Sequence, residues 1–395
     1  MSALRHAAAD EGIGYLLEDQ AIAADRNAIP DEKVNVSELD MPQMGKAGGL
    51  SRSAPQRDQA RDQAIDIFKG MLVLGMVYCH VLQFFSDTQL FASASYWIEA
   101  INLITFSGFV FSFGYVSHLA YYSKPLQRAA PRMAVAALKT LIAFYMSGLA
   151  YRIYIDGRAI SWSTLKPIIL LDDMPGWSEF LISFTYLTLV GLILFKPLKW
   201  LVERRRITLL TAAALLAATW MPYGSIHVTQ LGPLVGTRDF ASFPVLQYFP
   251  YYLTGMLFAR YRIGWDWRVL TAAAAATGLF VWRWLQEDAL PERFPPSIWW
   301  IIGAAFLLYL YYLIARYVGR YMMVSAPIEA MGRNVLWFLI ISNLLIFSLK
   351  SRHGDLLFSP LEGFIMTVLL LAFSGFGIWI IAKKTAKHGL TKTTT

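Results

Sequence analysis

The chain of 395 residues is 56% hydrophobic and only 16% charged, with a formal charge of +8; a soluble domain carries about a quarter charged residues. Its apolar residues gather in blocks close to the ~20 residues that cross a hydrocarbon core as a helix, which excludes a soluble globular class and predicts an all-α polytopic transmembrane bundle in a lipid bilayer. The positive charge does not imply nucleic acid, because residues 1–65 hold seven Lys/Arg against eleven Asp/Glu and the basic residues beyond them lie between apolar blocks.

Residues 1–63 read as a disordered cytosolic tail, ending in "MGKAGGLSRSAPQRDQARDQ" and poor in apolar side chains apart from "EGIGYLLEDQAIA". No basic start followed by an apolar run opens the sequence, so the first apolar segment is expected to direct insertion. A membrane domain is predicted over 64–383 and a basic cytosolic tail over 384–395. Ten spans are predicted within it, near 65–85, 97–121, 133–155, 178–196, 207–222, 243–261, 267–285, 297–319, 334–350 and 358–382. Pro and Gly mark the connections, as in "DDMPGW" and "DALPERFPP".

Charge alternates along these connections. Lys124, Arg128, Arg132, Lys196, Lys199, Arg204–Arg206, Arg260, Arg262, Arg268, Arg316, Arg320 and Arg333 fall on one side with the lysines of the C-terminal tail. The other side holds Arg158, Lys166, Arg238, Arg293, Lys350 and Arg352, diluted by acids such as Asp172, Asp173 and Glu292. Basic connections stay cytoplasmic, so both termini are expected there.

The first span, "AIDIFKGMLVLGMVYCH", carries Asp66, Lys69 and His80 in an otherwise apolar run. At 100° and 1.5 Å per residue, His80 lies about 20° from the direction of Lys69 and about 16 Å farther along the axis, with Asp66 about 40° from His80. The three share one face, which Gln83 extends. Ionisable side chains at membrane depth face the bundle interior or a wet cavity. Asp66 and Lys69 could simply pair as an end anchor, and His80 could bond a neighbouring helix. The sharper reading gives His80 a catalytic role, since a neutral imidazole removes protons near neutral pH. Lys69 is too far to pair with it but could hold an anionic part of a donor, a layout suited to group transfer.

Other candidates are Arg152 in the third span, and Glu179 beside Trp177 at the outer end of the fourth, either of which could serve an acceptor; Arg152 could equally snorkel. Cys79 is the single cysteine, which excludes an intrachain disulfide framework and a thiolate metal site. Its direction differs from that of His80 by about 100°, which argues against a Cys–His dyad. No metal-binding or nucleotide-phosphate motif occurs, so no metal is expected.

"DIFKGMLVLGMVYCH" resembles the first-span signature of the integral-membrane acyltransferase-3 family, in which Arg or Lys precedes His by eleven positions. "ITFSGFVFSFGYVSHLAYY" is similar to its second span and "PGWSEFLISFTYLTLVGLILFKPL" to its Trp-led fourth. "FPVLQYFPYYLTGMLFARY" and "MGRNVLWFLIISNLLIF" resemble later ones. The likeness covers about residues 60–385 in order. It implies transfer of an acyl group, usually acetyl, from acyl-CoA as co-substrate, with no permanently bound cofactor. The acceptor would be a carbohydrate or other envelope glycan, and the site a multi-pass protein of the cell inner membrane. It assigns catalysis to His80 and donor handling to Lys69, with Asp66 orienting Lys69 and with Arg128 and Arg132 as candidate CoA contacts. Two departures stand out: "QRAAPR" spaces its arginines one residue wider than the family pair, and Ser342-Asn343 stand where many members have His. A transporter or flippase, or a non-catalytic subunit working with envelope-biosynthesis proteins, are the rival readings.

Overall fold

The structure, a computed structural model, describes residues 62–319 and 322–392. Nearly all of the tail expected over 1–63 lies outside the described residues. Every regular element among them is helical: α1 Gln63–Phe85, α2 Ala92–Ser117, α3 Leu126–Tyr154, α4 Trp162–Ile169, α5 Glu179–Ile193, α6 Phe195–Val202, α7 Arg205–Leu215, α8 Val245–Tyr261, α9 Trp267–Glu287, α10 Ile298–Gly303, α11 Ala305–Val318, α12 Met322–Arg333, α13 Val335–Arg352 and α14 Pro360–Lys392. Residues 62–375 form one compact unit, and α14 from Phe376 onward belongs to another.

Among the described residues, six segments are long and apolar enough to cross a membrane: α1, α2 with its π-helical extension to Tyr122, α3, α10 with α11, α13 and the Pro360–Ile381 part of α14. A seventh is reached if α5 and α6, bent by 81°, count as one broken span. Ten were expected, and the shortfall has local causes. The segment at 207–222 yields only the 11 residues of α7 before tightening into a 3-10 turn over Leu216–Trp220. The next, α8, has 17 residues, and α9 has 21 but carries Arg268, Arg283 and Glu287.

Outward faces are apolar at helical spacing. Val135, Leu138, Ile142 and Met146 of α3 are exposed, as are Leu361, Phe364, Ile365, Val368 and Leu369 of α14. Contiguous exposed apolar surface of this kind suits lipid. Because lipid gives apolar side chains no reason to leave it, helices in a bilayer associate through close packing and polar contacts. Both occur here. Gly114 of α2 and Gly255 of α8 meet face to face: a Cβ on the first would overlap the Tyr252 carbonyl, and one on the second the Phe111 carbonyl. Gly70 of α1 and Gly332 of α12 repeat the device against the carbonyls of Ile328 and Asp66. Polar contacts include the Tyr122 hydroxyl, 3.0 Å from the Gly191 carbonyl oxygen and 2.9 Å from the Tyr252 hydroxyl.

α1 is capped by Asp62, whose carboxylate accepts from the Ala64 N–H at 3.1 Å. It lies against α2, α11, α12 and α13 and is among the most enclosed helices. Its Asp66–Lys69–His80 face points inward, with Asp66 2% and His80 8% exposed. Phe68 packs edge-on to Phe111 at 5.7 Å, and Phe111 to Phe258 at 5.1 Å, which locks α1, α2 and α8 into one aromatic layer.

Candidate functional site

His80 sits five residues before the end of α1, and its imidazole Nδ1 lies 3.0 Å from Oδ1 of Asn343 on α13. The proton position follows from the partners of the Asn343 amide. Its Nδ2 lies 3.3 Å from the Trp177 carbonyl oxygen, which can only accept, and 3.4 Å from Ser147 Oγ. The amide nitrogen is therefore turned away from the ring, Oδ1 faces it, and His80 must donate from Nδ1. Nε2 keeps its lone pair. An orienting amide on one ring nitrogen, leaving the other basic, is the arrangement a general base requires.

Trp177 completes the wall. Its backbone is left-handed at φ 60, a costly conformation for a bulky residue. Three contacts hold it there: the indole stacks on Tyr151 at 5.4 Å, lies 4.7 Å from the Phe84 ring, and donates to Gln83 Oε1 at 3.0 Å. The loop leading to it is tied down by Arg152, whose Nε donates to Asp173 Oδ2 at 3.0 Å while the same guanidinium also reaches Asp156.

A cavity of about 360 Å³ opens beside His80. Met76 and Gln83 line it from α1, and Asn102, Thr105, Phe106 and Phe109 from α2; Gly176, Trp177, Glu179 and Phe180, Ser242 and Phe243, and Arg293 and Phe294 close it. Asn102 accepts from the Cys79 thiol at 3.4 Å, and its enclosed Nδ2 has no hydrogen-bond partner among the described residues. An imidazole nitrogen and an amide donor thus share one chamber lined by both aromatic and polar side chains.

Of the residues singled out in the sequence, His80, Trp177 and Glu179 line this cavity, as does Gln83 on the same face of α1; Asp66, Lys69, Arg128, Arg132 and Arg152 do not. Lys69 pairs with Asp66 at 2.8 Å, and Arg333 of α12 stands 3.9 Å from the same carboxylate. Arg333 also pairs with Glu329, which accepts from Gln63 at 2.9 Å. This ionic group lies about eleven residues along α1 from His80, roughly 16 Å away along the axis. Arg128 and Arg132 are exposed one turn apart at the start of α3. Arg152 acts on the site through its hold on Asp173. Asn343, Asn102 and Arg293 were not singled out as site residues. An amide in the middle of "LWFLIISNLLIF" was the available signal for Asn343, whereas Arg293 reads only as a loop charge.

No protein-family model matches the chain, and no curated protein sequence matches it. What it does must therefore be argued from the geometry and from the motif resemblance.

Proposed function

We propose that the chain is an integral-membrane O-acyltransferase that moves an acyl group, acetyl in the simplest case, from acyl-CoA to a hydroxyl of a carbohydrate or other envelope acceptor. His80 Nε2 takes the hydroxyl proton as the oxygen attacks the thioester carbonyl. The new C–O bond forms, the C–S bond breaks, and the departing CoA sulfur recovers the proton from the imidazolium. The Asn102 amide is the candidate donor to the carbonyl oxygen as charge collects on it. In the covalent route Nε2 itself attacks the thioester carbonyl and the C–S bond breaks; the acceptor oxygen then displaces the ring from the acyl carbon, and its proton goes to the CoA thiolate.

The observation that carries this reading is His80 on a cavity wall with its Nδ1 spent on Asn343 and its Nε2 lone pair left over. Lys69, held by Asp66, and the exposed Arg128 and Arg132 are the candidates for the anionic parts of CoA. Charge alternation along the connections supports ten crossings with both termini cytoplasmic, in which α7, α8 and α9 supply the crossings beyond the apolar six or seven. On that topology the His80 end of α1 lies toward the outer leaflet, in an inner membrane.

The test is acetyl transfer by membrane vesicles containing the chain. Radiolabel from acetyl-CoA should enter hydroxyl esters of envelope glycan well above the level in vesicles lacking it. Equal labelling in both would defeat the proposal.

A further inference from the structure

We propose that the acceptor bound in this cavity carries an anionic group on its sugar, a carboxylate or a phosphate, and that Arg293 binds it. The inference rests on the acyltransferase reading for the kind of acceptor, and on the surroundings of Arg293 for its charge.

Arg293 lies in the Pro-rich connection between α9 and α10 and lines the same cavity as His80. Its guanidinium lies over the Phe294 ring at 4.4 Å and 5.9 Å from the Trp300 ring. Among the described residues no carboxylate reaches it within the 4.0 Å of a salt bridge. The contrast with other arginines is direct: Arg152 is held by Asp156 and Asp173, Arg283 by Glu287, and Arg333 by Glu329. Glu179, the carboxylate on the same cavity, acts on Arg293 through its charge without pairing with it. Burial pulls the Arg293 pKa down, with Tyr248, Cys79, Glu99 and Glu179 acting the other way. A guanidinium nonetheless keeps its proton at any physiological pH and presents five N–H donors with no acceptor.

A guanidinium packed on aromatic faces, with its neighbouring carboxylates too far away to pair, is costly once the cavity fills and water leaves. A neutral sugar would leave its donors stripped and unmatched. A carboxylate or phosphate matches the fork with two parallel hydrogen bonds, and the aromatic lining strengthens that pair by lowering the local dielectric. The donor's phosphates do not serve here, because the candidate CoA contacts, Lys69 and the arginines of α3, lie outside this cavity.

The experiment measures binding without acyl-CoA, so its outcome is independent of whether transfer occurs. Purified full-length protein in detergent is titrated with methyl β-glucuronide, glucose 6-phosphate and the neutral methyl β-glucoside. At least one charged sugar should bind about 10- to 100-fold more tightly than the neutral one, the range expected for a charged hydrogen-bonded pair. Arg293→Gln should erase the difference between charged and neutral sugars, while Arg293→Lys, a point charge without the fork, should keep part of it. The tighter of the two charged sugars identifies carboxylate or phosphate. Equal affinity for all three in the wild type, no binding of either charged sugar, or an undiminished preference in folded Arg293→Gln would each overturn the inference. The wild-type comparison and Arg293→Lys stand even if Arg293→Gln fails to fold.

Discussion

Replacing Asn343 by Ala removes the acceptor of the His80 Nδ1–H at 3.0 Å and the donor to the Trp177 carbonyl at 3.3 Å. Each lost bond withdraws about 1 kcal/mol, and each buried partner left unmatched costs about 1–3 kcal/mol. Among the described residues no other acceptor bonds Nδ1, so the ring is free to move its proton to Nε2 or to swing toward another partner. Losing about 1.5–3 kcal/mol of hold on the ring lowers the ratio of the productive tautomer and orientation to all others roughly 10- to 100-fold. In the proposed reaction kcat should fall by at least about threefold and by no more than that ratio, with the KM for acyl-CoA changed by less than about twofold, because the group acts on the base rather than on donor binding. Initial rates on purified, folded protein measure both quantities. A variant that is folded and retains kcat within about twofold of wild type would show that the amide does not hold the base, and the argument from the His80–Asn343 pair would fail.

Lys69→Met should destabilise the protein in thermal unfolding, by less than the about 3 kcal/mol of a wholly uncompensated buried charge, because Asp66 is 2% exposed and loses its 2.8 Å partner but keeps Arg333 at 3.9 Å. Adding Asp66→Asn should recover most of that loss, and if Lys69 handles the donor the double variant should still show a raised KM for acyl-CoA; a wild-type KM would make the pair an anchor alone. Gly255→Ala drives a methyl into the Phe111 carbonyl at the α2–α8 crossing and should prevent accumulation of folded protein in the membrane, which size-exclusion chromatography in detergent reads directly. Trp177→Ala removes the stack on Tyr151 and the bond to Gln83, so it should raise the acceptor KM about tenfold or more while sparing acyl-CoA binding.

Much of the inward architecture is legible in the sequence, since charge and apolar period are local properties. Asp66, Lys69 and His80 do point into the bundle, as a stripe across an apolar helix requires. The pairing of Asp66 with Lys69, three residues apart, follows from the same spacing. The number of long spans was harder to read. Apolar composition alone does not register that α7 stops at Leu215 and tightens into a 3-10 turn, or that α5 and α6 bend sharply at Leu194. The site itself depends on contacts between distant parts of the chain. Asn343 is 263 positions from His80, and only the packing of α13 on α1 brings them together. The role of Arg152 was hidden for the same reason: a charge near a helix end looks like one reaching for water, and its grip on Asp173 becomes visible only once the loop is folded back. The Ser342-Asn343 pair, read as a departure from the family pattern, contains the residue that fixes the imidazole.

The most direct measurement compares wild type with His80→Ala for transfer of labelled acetyl from acetyl-CoA to envelope glycan, in the same membranes and at matched amounts of folded protein. If the imidazole is the base, transfer should drop by at least about 100-fold while acyl-CoA still binds. Transfer at the wild-type rate in His80→Ala would contradict the account, whatever the cavity around that ring contains.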